Sequence, residues 1–383
     1  METEYNFDDI RPYNDSEINA ELRQLSQEPG LIAIVRNFFP HRSKENIVNL
    51  LNSFHSVRDF QAKIIRTLVV RGVAKKSTKG ITVSGMENIA DSFNRLFISN
   101  HRDIILDSVF LNVILLDKWH DTCEIAIGDN LFVKPWVEKM VRINKSIVVK
   151  RNVPVRQMME VSAKLSAYIR YAITEKKVSV WIAQREGRSK DANDRTQDSL
   201  LKMLNMSGKS SVIENMKELN ISPITISYEY DPCDYLKAKE FQEKRDNPDY
   251  KKKPEDDALN MVTGLRGWKG RVHYHISDMG NSIDTIADGT KNEQFRALAE
   301  LIDTYIHKNY KIYPVNMIAL DLLDNKNTFA QQYSAKEKIK FEHYLQGQLD
   351  KIELENKDVP FLRKKILEMY ANPFINYLKA NHD

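Results

Sequence analysis

Beyond about residue 95 the chain alternates short apolar runs with helical stretches, and this alternation restricts its fold more than any other feature. Leu96 to Ser99, Ser146 to Val149, Val178 to Ala183, Ile221 to Tyr228 and Val272 to Ile276 each have the length and content of a strand. Between the second and third runs, Val161, Leu165, Tyr168, Ile169 and Ala172 recur on one helical face. Strands interleaved with helices predict an α/β fold, a mixed β-sheet core flanked by helices. Val272, Tyr274 and Ile276 alternate with Arg271, His273 and His275, as in a half-exposed strand. The charged stretch from Lys237 to Asp257, with Lys251 to Pro254 inside it, breaks the pattern and reads as a surface excursion.

The flanks read as helical. Asp15 and Ser16 are placed to cap a helix from Glu17 through Leu25. Ile47, Leu50, Leu51 and Phe54 recur at helical spacing, and Phe60, Ile64, Ile65, Leu68 and Val69 form a second stripe. Past residue 290, Phe295, Leu298, Leu301, Ile302 and Tyr305 mark another helix, with a charged helical pattern over about 335 to 350. The expected organisation is a helical N-terminal segment over 1–92, an α/β domain over 93–288 and a helical C-terminal segment over 289–383.

Composition narrows the class. At 383 residues, 42% hydrophobic and 29% charged, the chain is too apolar for disorder and long enough for a large core with appendages. Mean hydropathy is −0.50, and no uncharged apolar run reaches membrane-spanning length; Ile104 to Leu116 is short and carries Asp107. The first residues include Glu2, Glu4, Asp8 and Asp9, so no secretory signal is expected. Cys123 and Cys233 give neither a disulfide framework nor metal-ligand spacing. A net charge of +4, from 57 Lys and Arg against 53 Asp and Glu, is too weak to predict nucleic-acid binding. It leaves room for anionic lipid or an acidic carrier protein as partner. The expectation is a cytoplasmic chain, soluble or attached to a membrane surface.

Four clusters lie where α/β proteins hold their chemistry, at strand ends. After Leu96 to Ser99 come Asn100, His101, Arg102, Asp103 and, further on, Asp107. Histidine is the side chain best suited to act as a base near neutrality, and a carboxylate on its other nitrogen fixes its tautomer. Either Asp103 or Asp107 is near enough in sequence to serve; a loop histidine among solvated acids would look the same. Ser146 to Val149 ends in Lys150 and Arg151, and arginine there offers a planar, bidentate contact for phosphate. Trp181 to Ala183 runs into Gln184, Arg185, Glu186, Gly187, Arg188, Ser189 and Lys190, a set usable for anion binding, though also that of an ordinary polar loop. Pro223 to Glu229 is most simply a core strand.

In order and content the four blocks resemble the glycerolipid acyltransferase superfamily. His101-Arg102 with Asp107 resembles its histidine–aspartate motif, Lys145 to Arg151 its second motif, Glu186 to Ser189 its Glu-Gly-x-Arg-Ser motif, and Pro223 to Glu229 its fourth block. His101-Arg102, Tyr228-Glu229 and Ala238 to Glu240 look more like the glycerol-3-phosphate branch than the lysophosphatidate branch. Three departures stand out. Five residues separate His101 from Asp107 where the family has four, the third motif lacks the residue between Gly187 and Arg188, and Lys145 replaces a common glycine.

The resemblance implies acyl transfer from a thioester, acyl-CoA or acyl carrier protein, to a hydroxyl of glycerol 3-phosphate. His101 would be the base and Asp107 its orienting partner. Arg151, Arg188 and Ser189 would hold the acceptor phosphate, with Glu186 and Gly187 shaping the loop. No metal or bound cofactor is called for. Lysophosphatidate or another lysolipid is the alternative acceptor, and an inactive acyl- or lipid-binding relative is the non-enzymatic alternative. Amphiphilic products predict work at a membrane surface, held by apolar helices or by basic residues such as Lys251 to Lys253.

Overall fold

The computed structural model describes residues 5–39, 41–89, 94–119, 121–132, 134–151 and 153–382. Seven strands form one sheet: β1 (Gly80–Ser84), β2 (Leu96–Ser99), β3 (Glu124–Gly128), β4 (Ser146–Val149), β5 (Val180–Ala183), β6 (Ile221–Tyr228) and β7 (Arg271–Ile276). Their spatial order is β1-β7-β6-β2-β5-β3-β4. All neighbours are parallel except β6 and β7, so the sheet is mixed. The chain leaves β2 toward β3 on one side, and β5 leads to β6 on the other. A crevice forms at the carboxyl end of strands where connections diverge in this way.

Alternation along the strands sends side chains to two different cores. Leu96, Ile98, Ile147, Val180 and Ile182 pack with Leu165 and Ile169 of the Val155–Thr174 helix and with Leu298 and Ile302 of the Lys291–Lys308 helix. Phe97, Ile125, Trp181, Ile224, Ile226 and Tyr274 pack on the other face with Phe110, Leu111 and Leu115 of the Leu106–Trp119 helix. Both faces are therefore covered, which explains why every residue of β2 and β6 is buried.

Two strands escape the sequence pattern. β1 lies at an edge, inside the stretch expected to be helical, so the sheet begins before residue 93; the expected boundary at 92/93 itself lies outside the described residues. β3 is disguised by Glu124, which is buried because Tyr168 donates to it at 2.8 Å and Lys176 pairs with it at 2.6 Å. At the other end, the Lys291–Lys308 helix packs on the sheet rather than standing apart from it.

The N-terminal helices Asp15–Leu25, Pro29–Phe38 and Lys44–Asn52 enclose their own core of Ile18, Leu22, Ile47, Leu51 and Phe60. Asp15 does not cap the first helix; its carboxylate instead accepts the Val57 amide at 2.8 Å, while Glu17 accepts the Asn14 amide.

The expected surface excursion is corrected in part. It holds two helices, Asp234–Asp246 and Pro254–Arg266. Lys237 in the first is buried with Asp231, 2.5 Å away, and Ala238 packs into the C-terminal core beside Leu362 and Tyr370. Within it Lys237 and Glu240 are buried and paired, with Asp231 and Lys190, while residues 244–249 and 251–253 are exposed as expected. No helix among the described residues is long and apolar enough to cross a membrane.

Candidate active site

The central strand β2 ends at the carboxyl edge of the parallel strands, and its extension is held rigidly. Asn100 is fully buried and clamps β6, donating to the Ile226 carbonyl at 2.9 Å and accepting the Ile226 amide at 2.7 Å. His101 follows, its ring edge-on to Trp181 with centroids 5.9 Å apart. The indole nitrogen of Trp181 is itself fixed by donation to the Ser99 hydroxyl at 3.0 Å.

The partner of His101 is Asp107, with Nδ1 and Oδ2 2.8 Å apart. The same oxygen accepts the backbone amides of Arg102 at 2.5 Å and Asp103 at 3.0 Å. An oxygen already receiving two N–H groups meets the imidazole as a third donor, so the proton sits on Nδ1 and the lone pair on Nε2. Nε2 has no hydrogen-bond partner among the described residues. Asp107 opens the Leu106–Trp119 helix, where the helix dipole favours a negative charge.

Asp103 has a different job. Its Oδ1 accepts the amides of Ile105 at 2.9 Å and Leu106 at 2.8 Å and so caps that helix. The residues between it and Asp107 form a tight turn, which takes up the longer His–Asp spacing. Burial, with the neighbouring Asp107 charge, pushes the Asp103 carboxyl above its ordinary value. Lys269, buried nearby, is pushed down to about 8 by the same desolvation, with Asp103 working in the opposite direction. The Pro254–Arg266 helix roofs this corner at Gly264, where a Cβ would come within 2.1 Å of the Asp103 carboxylate.

Arg102 points away from the His101 ring. It pairs with buried Asp194 at 2.6 Å, and Asp194 also accepts the Tyr310 hydroxyl. This buried pair ties the β2 turn to the end of the Lys291–Lys308 helix. Asp194 had no sequence signal, because only the fold brings it to Arg102. Tyr228, read in the sequence as part of a core strand, sits at the carboxyl end of β6 against this site. Burial first, then Tyr274, Asp107 and Asp103, push its hydroxyl well above the ordinary tyrosine value.

The anion-type residues occupy the loops after β4 and β5, at the same end of the sheet. Arg151 forms an ion pair with Glu186 and so joins the two loops. Gly187 adopts φ +66°, the left-handed region that glycine tolerates, and this turns the loop without the residue the family has before Arg188. Arg188 bends under the roofing helix and donates to the Asn260 side chain at 2.9 Å. The Asp231 carboxyl responds to that charge. Burial raises it, but Lys237 and then Arg188 hold it below the ordinary range. Ser189 is buried with its hydroxyl turned into the loop, donating to Asp191 at 2.9 Å and approaching the Asn193 carbonyl at 3.2 Å. The structure thus joins His101 to Asp107 and Arg151 to Glu186, and directs Arg188 and Ser189 to partners within the protein.

Residues 80–229 match the family model described as Acyltransferase. That match takes in β1 through β6 with His101, Asp107, Arg151 and Glu186 to Ser189. Among solved structures, the chain is similar to the 1-acyl-sn-glycerophosphate (LPA) acyltransferase PlsC of Thermotoga maritima, at 14% identity and a TM-score of 0.35, over 77% of this chain and 98% of that one. A search of curated proteins gave no match. Within the matched span, Lys145, which stands where the family it resembles commonly has glycine, adopts φ +60°. Its ammonium holds Asp121 at 2.7 Å and the Thr122 carbonyl at 3.1 Å, which offsets the strain of that backbone.

Proposed function

We propose that the protein transfers a fatty acyl group from a thioester, acyl-CoA or acyl carrier protein, to a hydroxyl of glycerol 3-phosphate in phospholipid synthesis. The observation that carries this reading is the His101–Asp107 pair at the end of the central strand, with Nε2 unengaged among the described residues. His101 Nε2 takes the acceptor hydroxyl proton as that oxygen attacks the thioester carbonyl carbon. The tetrahedral oxyanion collapses, the C–S bond breaks, and the imidazolium returns the proton to the departing thiolate. Asp107 holds the ring and balances the imidazolium charge. The amides of Arg102 and Asp103 are taken up by Asp107, so the oxyanion draws its donors from elsewhere.

Arg151 and Arg188 are the cations assigned to the acceptor phosphate. Arg151 meets Glu186 in the absence of substrate, and a phosphate arriving there exchanges one anionic partner for another. Glu186, Gly187 and Ser189 set the loop shape. The reaction takes no step through a metal or bound cofactor.

The test is release of free thiol from palmitoyl-CoA or palmitoyl-loaded acyl carrier protein, with glycerol 3-phosphate or lysophosphatidate as acceptor. Acceptor-dependent release is expected in the wild type, with glycerol 3-phosphate the better acceptor. It should fall by about 10²–10⁴-fold in His101→Ala, the range of a general base. Full activity in that variant overturns the reading, and a preference for lysophosphatidate reassigns the acceptor.

A further inference from the structure

The Asp107 carboxylate is used on one side alone. His101 Nδ1 and the amides of Arg102 and Asp103 all converge on Oδ2. Oδ1 is buried and makes no hydrogen bond of ordinary geometry among the described residues. The buried hydroxyl of Tyr228 is left in the same state. Among the described residues, these are the one hydroxyl and the one carboxylate oxygen buried without a partner. A polar atom stranded in this way is costly, and folded proteins pair nearly all of theirs.

The sheet brings the two atoms to one place. In the antiparallel β6–β7 pair, Ile226 stands opposite Tyr274 and Tyr228 opposite Val272. Tyr228 lies two residues beyond Ile226, so alternation puts Tyr228, Ile226 and Tyr274 on one face. That face packs against the Leu106–Trp119 helix, whose second residue is Asp107. Tyr274 already grips the helix there, donating to the Asp107 carbonyl at 2.9 Å. Tyr228 approaches the same residue from the neighbouring strand. After burial and the charge of Tyr274, the Asp107 carboxylate raises the Tyr228 hydroxyl both by its charge and by a hydrogen-bond approach. A hydroxyl held so far up keeps its proton near neutrality and acts as a donor. Tyr274 offers the other oxygen within reach, but a carboxylate accepts a hydrogen bond about twice as strongly as a neutral group.

We propose that Tyr228 is a positioning residue for the base, its hydroxyl donating to Asp107 Oδ1 and fixing the plane of the carboxylate. With Oδ1 held by Tyr228 and Oδ2 by two amides, the carboxylate cannot turn about its Cβ–Cγ bond. Its direction sets the imidazole through Nδ1, and so sets where His101 Nε2 aims. Tyr228 meets no substrate and works through Asp107. Its effect on rate rests on the acyl-transfer reading, whereas the contact between the two side chains does not.

The test combines Tyr228→Phe and Asp107→Ala, singly and together, in the full chain, read by thiol release and by urea unfolding. Tyr228→Phe removes one oxygen and should lower kcat about tenfold, the loss of one hydrogen bond to a charged group. The KM values of acyl donor and acceptor should stay within about twofold, because no substrate contact is lost. The urea midpoint should fall as well. Beside Asp107→Ala, Tyr228→Phe should change kcat by less than about twofold and leave the midpoint where it is, since the hydroxyl has lost its acceptor. The proposal is overturned by a kcat in Tyr228→Phe within about twofold of wild type, or by a midpoint that is unchanged or raised. It is equally overturned if both effects persist in full beside Asp107→Ala. A midpoint that falls only while Asp107 is present, together with no thiol release by the wild type, would uphold the contact and bring down the acyl-transfer reading alone.

Discussion

The turn after β2 and the loop after β5 sit at one end of one sheet yet are held in opposite ways. Asp107 is fully buried, and only 13% of the His101 side chain is exposed. The contacts that fix this turn are backbone amides, an indole and a second buried ion pair, Arg102 with Asp194. Across the site, Arg151 and Glu186 are 32% and 72% exposed, and each is the other's ion-pair partner. Such an exposed pair is worth at most about 1 kcal/mol, so it yields readily to a ligand. The difference suits two tasks: a base must be aimed before substrate arrives, whereas an anion site must be able to open.

The strongest test of that contrast is Asp107→Asn. The amide presents the wrong partner to Nδ1, and kcat should fall by about 10²-fold or more, within the span of general-base effects. A variant that keeps its activity would mean the buried pair is only structural. Next is Arg151→Ala, which should raise the acceptor KM by about tenfold or more while changing kcat less, the loss of one charge-assisted contact. Glu186→Gln should move KM the other way, by up to about fivefold, because the exposed pair no longer competes with phosphate.

Ser189→Ala separates loop shape from binding. Its hydroxyl serves Asp191 and the Asn193 carbonyl, so the expected effect is about 1 kcal/mol of stability by denaturant melting, with acceptor KM unchanged. A large rise in KM would return Ser189 to the phosphate contacts.

The smallest effect is a pH dependence in the same loop. Burial pushes the Lys190 ammonium down to about 8, against the opposing pull of Glu240. A lysine depressed in the folded state takes up its proton more readily when unfolded. Its burden on the fold is therefore greatest below about 8 and lifts as pH rises toward the ordinary value of 10.5. Melting temperature of the wild type relative to Lys190→Met should accordingly rise between about pH 8 and 10. A flat difference would mean that the lysine titrates as if solvated.

Particular residues show how much was legible beforehand. His101 stood out because a polar turn followed a fully apolar strand, and both candidate acids were visible. β3 was hidden because it opens on Glu124 and leaves only Ile125 to Ile127 as an apolar run, and the burial of Glu124 depends on Tyr168 and Lys176 from later in the chain. The roofing helix was hidden for a related reason. Its composition is that of a surface segment, and its inward face is Asn260 and Gly264 with half-buried Leu265. Ser189 carried a motif-like context, but a hydroxyl's direction is set by the turn it sits in.

The sequence alone determined the strand and helix periods, the α/β class and the set of chemistry-bearing residues, because those follow from local spacing and side-chain type. The tertiary structure alone decided that Asp103 caps the following helix while Asp107, the partner the resemblance implied, meets His101, that Asp194 anchors Arg102, and that Arg151 is engaged by Glu186. Those outcomes depend on Ångström-scale distances between segments far apart in the chain or across a turn. Burial and competing hydrogen-bond partners fix such distances, and neither is a property of a residue by itself.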